Sequence, residues 1–141
     1  MIDYEFIYSF TKQVLKLDAS IRWIGIANKF GVLLNAEYRE GLKPLMTEEE
    51  NEEYASLTVT RQKTRIKFES KIGPLIYAFG RYERLNRATL QINENYYLLV
   101  ALEVEAKNYD ELIMEKLVPL VKKEKHRFVD EDRTNISGGT A

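Results

Sequence analysis

From Ile2 to Leu17 the apolar residues Ile2, Phe6, Ile7, Phe10, Val14 and Leu17 are spaced by fours, ones and threes, which gathers them on one face of a helix. Asp3 and Glu5 fall in its first turn, where the helix dipole favours anions. Ile21 to Ala27 is β-branched and aromatic, and Val32-Leu33-Leu34 follows across Asn28-Lys29-Phe30-Gly31. An Asn opening a turn and a Gly closing it predict a β-hairpin. Within its first strand, Gly25 marks a bulge or a place where another group approaches the backbone closely.

Gly41 to Pro44 interrupts the pattern, and Thr47 with Glu50 predicts a capping box that opens a helix running to Ile72, ahead of the Gly73-Pro74 stop. Its charge is polarised: glutamates 48, 49, 50, 52 and 53 open it, and Arg61, Lys63, Arg65, Lys67 and Lys71 close it. Its apolar content (Tyr54, Leu57, Thr58, Ile66, Phe68) is thin for so long a helix, which points to a second surface to cover. Three strands are then predicted. Leu75 to Phe79 is apolar throughout; Ala88, Leu90 and Ile92 alternate with polar residues; Tyr96 to Leu102 is apolar on both faces and reads as a central strand. A closing helix carries Leu112, Ile113, Leu117, Leu120 and Val121, with Pro119 inside its stripe as a kink.

The order α-β-β-α-β-β-β-α, joined by hairpins, predicts an α+β fold: a five-stranded antiparallel sheet with helices packed on it. Residues 1–125 are expected to form one domain and 126–141 a flexible charged tail, ending in Ser137-Gly138-Gly139. The predicted core is Trp23, Ile24, Ile26, Leu75, Phe79, Leu98, Leu99, Val100 and Leu102.

Composition then removes function classes. With 21 Lys+Arg against 22 Asp+Glu the net charge is −1, too balanced for a protein that coats nucleic acid, so no nucleic-acid partner is expected. No Cys and one His exclude thiol nucleophiles, thiolate zinc sites and multi-histidine metal centres. His126 lies in the expected tail and reads as solvated. No phosphate loop, dinucleotide fingerprint, zinc-protease helix or serine elbow is present, so no catalytic residue, cofactor or metal site is expected, and the chain is read as no enzyme. The longest apolar stretch falls far short of a membrane span, and the N-terminal apolar residues are interrupted by charge, so the expected location is the cytoplasm.

This succession of elements resembles the roadblock/dynein-light-chain family and its profilin-like and longin-like relatives. The resemblance is carried by the hairpin Ile21 to Leu34, with its Asn28-x-x-Gly31 turn, and by the three-strand run from Leu75 to Val104. More narrowly the chain is similar to an archaeal family of this size. The resemblance implies a scaffold: roadblock domains pair through the long middle helix and the neighbouring edge strand, and present that surface to small Ras-like GTPases or larger complexes.

On that reading the chain is a homodimeric interaction module. Tyr54, Leu57, Arg61, Arg65 and Tyr77 are the interface candidates, with Arg61 and Arg65 either pairing with Glu50 or Glu53 of a second copy or contacting a phosphate. Arg81, Arg84 and Arg87, around a strand turn, are candidates for a partner's carboxylates or a phosphate, or else simply shield a sheet edge. The alternative class is a PAS- or GAF-like small-molecule sensor, which requires a hollow sheet face with a closed pocket of about 300 Å³ or more.

Overall fold

In the computed structural model, which describes residues 2–129, the first helix α1 (Tyr4–Leu15) starts where the sequence requires. Asp3 caps it, its carboxylate accepting from the Phe6 amide at 3.0 Å. Strands β1 (Ile21–Asn28) and β2 (Leu33–Tyr38) form the expected hairpin. Asn28 Oδ1 accepts from the amides of Phe30 and Val32, and Gly31 takes the left-handed conformation (φ +82°) that closes the turn.

Helix α2 (Glu48–Arg65) opens with the capping box: Glu50 N donates to Thr47 Oγ1 at 3.1 Å and Thr47 N to Glu50 Oε1 at 2.9 Å. The helix does not run unbroken to Ile72. A 3-10 turn at Ile66–Phe68 interrupts it before the short α3 (Glu69–Ile72), whose end is set by Gly73 at φ +89°.

Strands β3 (Ala78–Arg81), β4 (Asn86–Asn93) and β5 (Tyr96–Leu102) complete one antiparallel sheet in the order β2-β1-β5-β4-β3. β5 lies at its centre and all seven of its residues are buried, as double-sided hydrophobicity predicts. The strand expected at Leu75–Phe79 instead runs from Ala78 to Arg81, leaving Leu75 only half-buried.

The closing helix is split into α4 (Tyr109–Leu112), a π-helical stretch (Ile113–Leu117) and α5 (Val118–Glu124). Pro119 has no amide hydrogen to give, and the wide turn before it, where Val118 N donates to Ile113 O, absorbs the mismatch at the start of α5.

Strand alternation sends Ile24, Ile26, Leu90, Leu98 and Val100 to one face of the sheet, where α1 and the closing helix cover them. On the other face Trp23, Ala27, Tyr97, Leu99 and Ala101 meet Ala55 and Val59 of α2. The domain boundary expected at residue 125 falls short of the packed chain. Phe128 is buried, its ring set edge-on to Phe6 and Phe10 at 5.1 Å. His126 is exposed, and residues 130–141 of the expected tail lie outside the described residues.

Candidate functional site

The long helix meets the sheet through a face unlike the one its apolar residues suggest. α2 buries Asn51, Ala55, Thr58, Val59 and Gln62, all small or polar, because the sheet already supplies Trp23 and Tyr97 as bulk. The indole of Trp23 lies across Gly25, where a Cβ would come within 2.5 Å of the ring. That decides between the two readings of Gly25: the backbone is closely approached, and the register shift of the hairpin falls one residue further on, between Ile26 and Ala27. Tyr38 ties β2 to this face, its hydroxyl accepting from Asn51 Nδ2 at 2.9 Å and donating to Met46 O at 3.3 Å.

Two open clefts flank α2. One, of about 760 Å³, lies between β2 and the helix start and is lined by Trp23, Leu33, Leu45 and Asn51 with Glu48 and Glu52 at its rim. The other, of about 560 Å³, runs between α2 and the β3–β4 turn and is lined by Tyr54, Leu57, Arg61, Tyr82, Arg84 and Arg87. Both sheet faces are otherwise filled with side chains.

The second cleft joins residues that the sequence reading held apart. Tyr54, Leu57, Arg61 and Arg65 follow one another by three, four and four positions, a single stripe along α2. Leu57 is half exposed, and Arg61 and Arg65 are exposed. Arg84 faces them from the turn between β3 and β4.

Arg87 is not a surface arginine as a partner contact requires. It sits on β4, 7 % exposed, with its guanidinium 3.7 Å from the centre of the Tyr54 ring and 5.7 Å from that of Trp23. Burial pulls its pKa below the ordinary arginine value, and Tyr54 opposes that pull. The sequence places Arg87 next to a turn. Only the packing of α2 shows that its side chain is covered.

Tyr77 does not join the stripe. It packs against the core on the opposite face of the sheet and donates a hydrogen bond to Asp110, and burial together with that carboxylate pushes its phenol up to about 12. Arg81 is exposed and pairs with Asn86 at the end of β3, one residue past the strand position that faces α2. Sequence reasoning missed Asn51 and Gln62 on the buried side of α2, and Arg39, which donates to the Ile21 and Asp18 carbonyls at 2.7 and 2.6 Å and to the Leu15 carbonyl at the end of α1. Asn51 and Arg39 acquire their partners through tertiary packing, whereas Gln62 accepts from Arg65 one turn further along its own helix.

No family model and no curated protein matches this chain by sequence. Solved structures do match. Myxococcus xanthus MglB superposes over 88% of this chain and 95% of its own, at 13% identity and a TM-score of 0.68. The Roadblock/LC7 domain from Streptomyces avermitilis covers 83% of this chain and 92% of its own, at 13% identity and a TM-score of 0.63. The fold is the roadblock fold. MglC from Myxococcus xanthus shares it at 16% identity and a TM-score of 0.54, over 84% of this chain and 98% of that one. None of these matches bears on the archaeal resemblance.

In a roadblock fold of this kind α2 and β3 lie at one margin of the molecule, and here that margin carries the exposed Leu57, Phe68, Ile72 and Ile76. The two volumes flanking α2 are open clefts at its sides rather than the closed chamber under the sheet that a PAS- or GAF-like sensor requires. Among the described residues no helix is long and apolar enough to cross a membrane.

Proposed function

We propose that this chain is a non-enzymatic interaction module that pairs with a second copy of itself through the flank of α2 and the edge strand β3, and that the pair docks a small Ras-like GTPase. The observation that carries the reading is the unpartnered margin: Leu57 stands half exposed between Tyr54 and Arg61 on a helix whose acidic start and basic end are complementary when two copies run antiparallel. β3 is an edge with a free row of backbone donors and acceptors, and Ile72 and Ile76 beside it are exposed at 83% and 55%. Charged rim pairs contribute only about 0.2–1 kcal/mol each, so they set the register while Leu57 and the apolar residues near β3 supply the affinity. One of the matched structures, "MglB with tetrameric arrangement", is itself an assembly (TM-score 0.67), which lends support to a self-associating reading. The GTPase partner rests on the family resemblance.

Light scattering at micromolar concentration tests the pairing. The expected result is twice the chain's mass, weakened at high salt and not abolished by it. Arg61→Glu with Arg65→Glu is expected to shift the protein toward monomer. A wild type that stays monomeric through the micromolar range would remove the pairing and leave only the fold to support a scaffold.

A further inference from the structure

Arg87 is a buried cation without an anion. A guanidinium offers five N–H donors and accepts nothing, yet the groups this one meets are neutral: the face of Trp23, the face and side-chain hydrogen bond of Tyr54, Tyr38 and Tyr82 nearby, and the Met46 thioether, to which Nη2 donates at 2.7 Å. Among the described residues no carboxylate forms an ion pair with it. A buried charge left unpaired is costly, and such groups are ordinarily matched by an opposite charge.

Its neighbours share the deficit. Arg61 Nη2 donates to Thr58 Oγ1 at 3.0 Å and Arg65 Nη1 to Gln62 Oε1 at 3.3 Å, both neutral acceptors on their own helix. Arg84 makes no hydrogen bond or ion pair among the described residues. Like charges so close repel one another, and acidic neighbours would relieve that, but none lines the innermost pocket.

That pocket lies between α2 and the β3–β4 pair and holds about 60 Å³. Its walls are Arg61, Arg65, Arg87, Tyr54, Tyr82 and Thr89. Ala78 and Gly80 on β3 leave its floor low, so no side chain rises to fill the space between the guanidinium groups. With about 30 Å³ for each liquid water, the volume suits a tetrahedral oxyanion better than a large ligand. The 560 Å³ cleft alongside, which holds Glu50 and Glu53, gives the ligand a way in and room for whatever carries the anion.

We propose that this pocket is an oxyanion site that takes a phosphate group, held by bidentate contacts from Arg87 and Arg65 and by Arg61, with the rings of Tyr54 and Tyr82 flanking it. All of these residues belong to one protomer, so the site is complete without a second copy, although it shares Arg61 and Arg65 with the pairing proposed above.

The test is an NMR titration of the full chain with inorganic phosphate, run against sodium chloride at matched ionic strength. The expected result is saturable shifts at the Gly80 and Thr89 amides and the arginine Nε–H signals, which chloride does not reproduce. Affinity is expected to fall at least tenfold in Arg87→Met and in Arg65→Gln. Arg65 is exposed, so Arg65→Gln keeps the fold and decides the matter even where Arg87→Met does not fold. Shifts that fail to saturate, that chloride matches, or that survive Arg65→Gln unchanged would overturn the site.

Phenyl phosphate separates the sources. Tighter binding than inorganic phosphate assigns the site to a phosphomonoester with an aromatic carrier stacked on the tyrosines; equal binding assigns it to the free ion. Light scattering on the same samples keeps the two proposals distinct. Phosphate bound at monomer mass leaves the site and removes the pairing, and a doubled mass without a phosphate effect does the reverse.

Discussion

The two faces of the sheet are packed on opposite principles. The face under α1 and the closing helix is an apolar core in which Phe6, Phe10, Tyr96 and Phe128 meet ring to ring. The face under α2 has a small apolar patch around Trp23, and beside it the buried polar residues Asn51, Thr58, Gln62, Arg87 and Thr89. Apolar burial is non-directional and stabilises whatever it encloses, whereas buried polar groups stabilise only when each finds its partner. The first face therefore holds the molecule together. Among the described residues, the second leaves Trp23 Nε1 without an acceptor and the Arg87 charge without an opposite one, while the first leaves a single open acceptor at Asn86 Oδ1.

The largest effects come from putting a charge into the strand the faces share. Val100→Asp on the apolar face and Leu99→Asp on the α2 face each bury an unpaired carboxylate, and neither protein is expected to show a cooperative thermal transition. A Leu99→Asp protein with unchanged melting would sink the view that β5 is covered on both sides. The next test divides the faces. Phe10→Ala is expected to cost about 3–5 kcal/mol in urea unfolding, while Val59→Ala, which removes two methyl groups, costs about 1.5 kcal/mol. Equal costs would erase the distinction.

Gly25→Ala sharpens the comparison on the α2 side alone. Its Cβ would meet the rigid Trp23 ring at 2.5 Å and Leu33 Cδ1 at 2.9 Å, so a loss of about 1–3 kcal/mol is expected from overpacking, with a matching change in tryptophan fluorescence.

The smallest effect lies outside both faces, at Asp18. The Ser20 amide, donating at 2.9 Å, lowers its pKa below the unfolded value of 3.8, with Lys116 and Arg39 assisting. Between the folded and unfolded values the unfolded chain binds more protons, so this contribution is present above pH 4 and is lost as the pH falls through the lower, folded value. Asp18→Asn is expected to flatten that part of the stability–pH curve, lowering stability slightly at pH 7 and leaving it nearly unchanged below the folded value.

The sequence made most of the sheet legible because the signals there are local. The Asn28-to-Gly31 turn, the alternation of 88–92 and the double-sided run at 96–102 all lie where the structure has them. The failures share a cause as well. Where a segment's neighbours decide its state, pattern alone misleads: β3 begins only where β4 is there to pair with it, and α2 is broken at Ile66–Phe68 with no Gly or Pro to announce it. Phe128 reads as tail because it follows a charged run, and its pocket is built by distant residues, Phe6 and Phe10 more than a hundred positions earlier and Tyr96 on β5. The candidate site was legible as two arginine groups. That they face one another across a cleft is a fact of topology, and that Arg87 is covered is a fact of where Tyr54 and Trp23 put their rings.

The strand order carries a consequence for how the chain comes to be made. The centre of the sheet is the pair β1–β5, and these strands come from opposite ends of the sequence. As the chain leaves the ribosome, the β1–β2 hairpin can form early, but its inner edge must wait for about 60 further residues before β5 arrives. At synthesis rates of about 5–20 residues per second, that is roughly 3–12 seconds with an apolar strand unpaired. Pairing so distant in sequence is also slow to close. The nascent hairpin is thus the stage at which this protein is open to aggregation and to chaperones, and mutations that loosen the Asn28–Gly31 turn are expected to act first on yield and only afterwards on the finished fold.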